Sequence, residues 1–221
     1  MKVLVIDIGG SHVKIMATKH RKERKAESGP AMSARDMVDI VLDLAGHWKF
    51  KRVSMGYPGP VVHGKPVLEP KHLAPGWVGF DFERAFGRPV RVVNDALMQA
   101  VGSYQGGRML FLGLGTGLGS AMIVENGTQP MELAHLPYKD GHTFEQYLGE
   151  AALERMGRKA WQKEVVAVVA RLQAALEPEY VVLGGGNVGL LEELPPGCRR
   201  GDNKNAFAGG FRLWGKDAVK V

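Results

Sequence analysis

Apolar residues run without a break from Val3 to Ile6 and resume at Ile8, the pattern of a buried strand. Val13–Ala17 reads as a second strand that returns beside it after the Gly9-Gly10-Ser11 turn. Beyond Ser33 the period becomes helical. Met37, Ile40, Val41, Leu44 and Ala45 share one face, Ser33 can cap it with Asp36 as capping-box partner, and a helix to about Trp48 is predicted. Arg52–Gly56 is again a strand, and it enters Tyr57-Pro58-Gly59-Pro60, a forced turn. From Val61 to Phe86, Pro66, Pro70, Pro75, Gly76 and Gly79 leave a long irregular stretch suited to a binding loop or lid.

Pro89–Val93 is a strand that delivers Asn94-Asp95 ahead of a helix from Ala96 to Ser103. Met109–Leu114 and Ser120–Glu125 form a further strand pair around Gly115-Thr116-Gly117. Phe144–Met156 and Lys163–Leu176 read as helices, and Tyr180–Leu183 as a strand entering Gly184-Gly185-Gly186. Asn205–Trp214 has helical composition that Gly209-Gly210 weakens. The succession of strand, glycine turn, strand, helices and further strands thus occurs twice, over 1–93 and 106–186. This predicts an α/β protein of two lobes with a cleft between them. The N-terminal lobe is placed at 1–105, joined by the C-terminal segment 205–221, and the C-terminal lobe at 106–204.

With 221 residues, 45% of them hydrophobic and 24% charged, the chain can bury a substantial core. Its single cysteine, Cys198, excludes a disulfide framework and a set of thiolates for structural zinc, and fits a reducing cytoplasm. Asp7 interrupts the first apolar run well short of a signal segment or a membrane span. A net charge of +6 suits a polyanionic partner. Much of that excess lies in Lys19–Lys25, which reads as a solvated hairpin or loop, and no aromatic interleaving or known module supports nucleic-acid binding.

Four groups of residues carry candidate chemistry. In Asp7–Lys14, Gly9 and Gly10 at the hairpin tip permit positive φ and close approach of backbone N–H groups to an anion, with Ser11 as a hydroxyl donor and Lys14 as a charge. Asp7 can hold Mg2+ through water. An ordinary tight hairpin would use the same residues. Gly113–Gly119, with Gly115, Thr116 and Gly117 at its centre, offers a second phosphate cradle; it continues as a strand rather than opening a helix, and neither segment ends in a Walker Gly-Lys-Ser/Thr. Asp95, at a strand end, can take a proton from a sugar hydroxyl while Asn94 bonds a neighbouring one, although an Asx turn capping the helix explains the same pair. Glu132, His135 and Glu145 supply mixed acceptors and donors for sugar hydroxyls, and could equally be metal ligands, glycosidase carboxylates or surface groups.

Taken in order, these segments resemble the ROK family of the actin-like ATPase superfamily, with its RNase H-like fold, and within it the polyphosphate glucokinases. Asp7–Lys14 and Gly113–Ser120 are similar to the superfamily's two phosphate motifs, Tyr57–Val61 to a proline-glycine sugar loop, and Ala74–Trp77 to the segment after it. Asn94-Asp95-Ala96 resembles the catalytic segment, Glu132–His135 the Glu-x-Gly-His element with Ala134 in place of glycine, and Glu145 a further sugar-binding glutamate. Leu183–Gly186 resembles the turn beside the nucleotide base in ATP-using members. The resemblance implies a sugar kinase with Asp95 as base, and Asn94, Gly59, Pro60, Glu132, His135 and Glu145 around a hexose, glucose being favoured. It implies Mg2+, polyphosphate or ATP as donor, and a homodimer. The cysteine cluster of zinc-binding members is missing, so no zinc is expected, and the strand beginning at Val3 leaves no DNA-binding extension ahead of the first motif. A non-catalytic sugar or phosphate sensor on the same fold is the alternative.

Overall fold

A computed structural model describes residues 2–215 and 219–220; positions 216–218 and 221 of the expected C-terminal segment lie outside the described residues. The first elements are β1 (Val3–Ile8), β2 (His12–Ala17), β3 (Arg24–Glu27), α1 (Ala34–Ala45), β4 (Arg52–Tyr57), the short pair β5 (Val61–Val62) and β6 (Lys65–Pro66), α2 (Phe82–Phe86), β7 (Val90–Asn94) and α3 (Asp95–Ser103). There follow β8 (Arg108–Leu114), β9 (Leu118–Val124), β10 (Gly127–Met131), a 3-10 turn at Leu133–His135, α4 (Glu145–Leu148), α5 (Glu150–Met156), α6 (Arg158–Leu176), β11 (Tyr180–Gly184), a second 3-10 turn at Gly186–Leu190, β12 (Cys198–Arg200) and α7 (Asn205–Arg212). The chain divides into two compact units, Met1–Gly102 with Ala206–Ala218, and Ser103–Asn205 with Val219–Val221.

Each unit has its own five-stranded sheet, ordered β3-β2-β1-β4-β7 in the first and β10-β9-β8-β11-β12 in the second. The plan is the same in both. An antiparallel hairpin is flanked on one side by a third antiparallel strand and on the other by two parallel strands. The duplication expected from the order of elements is therefore present, although three of the strands, β3, β10 and β12, were not legible. Thr128, Gln129 and Pro130 show no apolar alternation, β12 has three residues, and β3 lies in the charged run.

In the first unit the pairs Leu4↔Ala17, Ile6↔Ile15 and Ile8↔Val13 put six apolar side chains on one sheet face, where they share a core with Met37, Val38, Val41 and Ala45 of α1. A one-residue slip would turn that whole set toward the other face, which carries Asp7. Ser33 and Asp36 form the expected reciprocal capping box. The helix stops at Ala45 rather than Trp48. Gly46 there has φ 52°, and the Arg24 guanidinium donates to the Leu44 carbonyl at 2.6 Å. Arg24 also lies 4.3 Å over the Trp48 ring, so the basic run is the exposed hairpin that was expected, and its edge strand ties down a helix end as well.

Gly209 and Gly210, which weakened the reading of α7, are the reason it packs. A Cβ on Gly209 would collide with the Met98 carbonyl oxygen of α3, and one on Gly210 with Val5 of β1. The buried Ser54 hydroxyl donates to the Gly210 carbonyl at 2.6 Å and accepts the Trp214 indole N–H at 2.9 Å.

In the second unit Leu110, Leu112, Leu114, Val181 and Leu183 share a core with Trp161, Val165, Val168, Val169 and Leu172 of α6. The single helix expected over Phe144–Met156 is broken into α4 and α5 at Gly149, whose backbone is extended (ψ 168°) and passes so close to Thr116 that a Cβ would lie 2.8 Å from its carbonyl oxygen. Among the described residues no helix is long and apolar enough to cross a membrane.

Candidate active site

In the first unit a row of cross-strand partners runs Lys25, Lys14, Asp7, Gly56 and Val93. Asp7 is partly buried, and desolvation raises its pKa against the opposing effect of Lys14, with Glu23 adding to the rise. A carboxylate held in that way gains from a nearby cation. The residues therefore suit Mg2+ bound through water: a hard oxygen donor at a strand end, beside a glycine that adds no side chain. Among the described residues no cluster of three or more His, Cys, Asp or Glu could hold a metal, so Glu132, His135 and Glu145 do not make a ligand set.

Gly56, which the sequence did not single out, pairs with Asp7 and lies beneath the first turn of α3. A Cβ at Gly56 would project on the face bearing Asp7, 2.5 Å from Met98 Cε and 3.5 Å from Asp95 Cα. Its absence makes room for the Met98 thioether under α3, and Asp95 lies one strand away from Asp7. Asp95 Oδ1 accepts the Ala96 amide at 2.7 Å. Asn94 Oδ1 accepts the Leu97 amide at 3.2 Å, capping α3, while its Nδ2 donates to the Gly59 carbonyl at 3.1 Å. The capping explanation is thus realised, and the same amide also ties down the Gly59-Pro60 loop. One N–H and one lone pair remain for a ligand. Gly59 packs against the ring of the buried Tyr57, whose hydroxyl donates to the Leu68 carbonyl at 2.8 Å.

The first glycine hairpin is braced from both sides. Ser28 donates its hydroxyl to the Gly9 carbonyl at 2.6 Å and its amide to the Ser11 carbonyl at 3.0 Å, and the Gly9 amide donates to the His12 carbonyl at 2.9 Å. His72 lies against Gly10, its Cβ 3.3 Å from where a Gly10 Cβ would stand. Gly9, Gly10, Gly115 and Gly117 all lie outside the positive-φ region, contrary to the expectation for hairpin tips. Close approach, not backbone handedness, is what glycine supplies at positions 9, 10 and 117, whereas a Cβ on Gly115 would meet nothing within 4 Å.

In the second unit the Gly115 carbonyl accepts the Glu150 amide at 3.0 Å and the Asn187 side-chain amide at 3.4 Å. Glu145 sits beside this turn and accepts the Leu118 amide at 3.3 Å. Glu132 and His135 are side by side on the 3-10 turn, 4.0 Å apart and exposed. They are positioned by Ser120, the buried residue that closes the second glycine segment. Its hydroxyl donates to the Met131 carbonyl at 2.8 Å and accepts the Leu133 amide at 3.1 Å. The loop between His135 and Glu145 is pinned to α6: Glu164 accepts from the Tyr138 hydroxyl at 2.6 Å and from Lys139 Nζ at 2.8 Å. A hollow of about 480 Å³ lined by Arg35, Phe80, Asp81, Arg84 and Ala85 contains none of these residues.

Known proteins share both fold and sequence with this chain. The polyphosphate glucokinase of Mycobacterium tuberculosis is 25% identical over 207 residues, covering 82% of this chain and 76% of its own. The bifunctional enzyme NanE/NanK of Brucella melitensis is 26% identical over 240 residues, covering 86% of this chain, which spans 46% of that enzyme's length. Among solved structures, the inorganic polyphosphate/ATP-glucomannokinase of Arthrobacter sp. strain KM matches with a TM-score of 0.80 at 24% identity, covering 95% of this chain and 96% of its own. A ROK family glucokinase from Streptomyces griseus, solved with glucose and AMPPNP, matches with a TM-score of 0.78 at 18% identity, covering 96% and 99%. The fold is that of the actin-like ATPases. Residues 3–130, more than half of the chain, match the ROK family itself, and the chain belongs to that family.

Proposed function

We propose that the protein is a hexose kinase that moves a phosphoryl group from a condensed phosphate, polyphosphate or ATP, to the 6-hydroxyl of a sugar, with glucose the favoured acceptor. The observation that carries this reading is the position of Asp95, whose Cα lies beside Gly56 over the sheet face that bears Asp7 and leads into the first glycine hairpin. A carboxylate so placed can take the proton of an attacking hydroxyl, while the Gly9-Gly10-Ser11 and Gly115-Thr116-Gly117 turns and Lys14 bind the donor's phosphates. Asp7 would hold Mg2+ through water, and the ion would offset the negative charge of the phosphates. Asn94 orients Gly59 and Pro60 toward the sugar, and Glu132, His135 and Glu145 offer hydroxyl partners.

Between donors the reading favours polyphosphate. The net charge of +6 suits a linear polyanion, and two of the relatives are named for polyphosphate. Incubation with Mg2+, a panel of hexoses and either ATP or polyphosphate, with products identified by mass, tests the proposal. A hexose 6-phosphate is expected. Sugar binding without phosphorylated product from any donor would establish the sensor instead.

A further inference from the structure

We infer that His72 is a further donor-binding residue, presenting an imidazole N–H to the phosphate seated on the first glycine hairpin; the inference rests on the kinase reading above. His72 lies in the proline-rich stretch that the sequence reads as a binding loop or lid without naming a residue in it as a ligand contact. The structure holds that stretch firmly at both ends. The Glu69 carboxylate accepts the backbone amides of Gly76, Trp77 and Val78 at 3.1, 3.0 and 3.2 Å. The Ala74 amide donates to the Met32 carbonyl at 3.1 Å, and the fully buried Trp77 returns its indole N–H to the Ala74 carbonyl at 2.8 Å.

Between these anchors His72 stays exposed, and its side chain is laid against the hairpin tip. Its Cβ, Cγ and Cδ2 stand 3.3, 3.7 and 3.8 Å from the position of a Cβ on Gly10. A glycine at position 10 is what allows this approach, since any larger residue would press on the histidine. The opposite support comes from Ser28, bonded to Gly9 and Ser11. Two independent features therefore converge on one spot: a glycine tip whose open side is suited to an anion, and a solvent-facing imidazole fixed beside it by a loop with its own anchors. A ring on the surface of a loop, packed on backbone rather than in a core, adds little to folding, whereas an N–H beside a phosphate oxygen makes a charge-assisted bond.

The test is direct binding of tripolyphosphate and of ATP, each with Mg2+, to the wild-type protein and to His72→Ala and His72→Gln, by calorimetry, with glucose affinity and melting temperature measured in parallel. For His72→Ala we expect affinity for the phosphate ligand to fall about 10-fold, the weight of one charge-assisted hydrogen bond. Glucose affinity and melting temperature should be unchanged, and His72→Gln, which keeps an N–H donor, should recover part of the loss. A fall for tripolyphosphate alone would assign the contact to the polyphosphate chain, and a fall for both ligands to the phosphates that they share. Unchanged phosphate affinity, or an equal loss of glucose affinity, would overturn the inference. If the wild-type protein phosphorylates no hexose but still binds tripolyphosphate in a His72-dependent way, the kinase reading fails and the anion site stands.

Discussion

Glu145 occupies the space that a side chain on Gly117 would need, and its carboxylate accepts the amide of the next residue, Leu118, at 3.3 Å. The turn read as a phosphate cradle and the glutamate read as a sugar contact are therefore one packed unit. Gly117→Ala must displace Glu145. The expected outcome is a loss of both donor and sugar affinity, with an overpacking cost of about 1–3 kcal/mol in stability. Paired titrations with glucose and tripolyphosphate check this, and a change confined to one ligand would show that the two functions are separable.

Asp95→Asn removes the proposed base while keeping the side chain's size and its capacity to accept the Ala96 amide. Turnover should fall by about 10²–10⁴-fold with glucose binding retained, the usual range for a positioned base. Near-normal turnover would sink the assignment.

Gly56 separates a functional constraint from a folding one. A Cβ there meets the end of the Met98 side chain at 2.5 Å, a flexible thioether that can move, and stands 3.5 Å from Asp95 Cα, an ordinary van der Waals contact. Gly56→Ala should therefore lower the melting temperature little and reach Asp95 only through the displaced Met98, one turn along α3, with a modest fall in kcat. Adding Met98→Ala, which makes room, should restore part of the activity. A double-mutant cycle in kcat reads the coupling, and strict additivity would show that the two residues do not act on Asp95 together.

The clip on the sugar-side loop titrates in a predictable direction. Partial burial works to raise the Glu164 carboxyl, but hydrogen bonds from Lys139 and Tyr138 and the charges of Lys139 and Arg171 outweigh it and hold it below the ordinary range. A carboxyl lowered in the folded state adds stability above the ordinary carboxylate pKa and loses it as the pH falls through the lowered value. The melting-temperature gap between wild type and Glu164→Gln should accordingly be open at pH 7 and close below about pH 4. Because the clipped loop joins His135 to Glu145, the variant should also raise KM for the sugar with little change in kcat. A gap that is constant with pH would deny the ion pair its role.

Much of this molecule is written in local pattern. The apolar run of β1, the alternation of β2, the Ser33–Asp36 box and the strand ahead of Asn94-Asp95 were all legible, because each depends on residues close in sequence. The candidate residues around them could be named for the same reason: glycine turns, a strand-end Asp and a Glu-x-x-His spacing are short-range features.

What the local pattern could not decide is which residues make room for others. Gly56 looks like any strand residue until α3 settles on it, Gly209 and Gly210 look like helix breakers until Met98 and Val5 meet them, and His72 is one of many loop residues until Gly10 lies beneath it. Ser28 is an ordinary polar residue in sequence and a bracket for the first glycine hairpin in space, and Ser120 is one for the turn that carries Glu132 and His135. The sequence by itself determined the elements, the repeated order and the chemistry on offer, since propensity and periodicity act over a few residues. Only the tertiary structure decided the close approaches that bring Asp95 over the Asp7 face and His72 onto the hairpin. Those depend on the absence of side-chain atoms at contacts between distant segments, a property that no local pattern records.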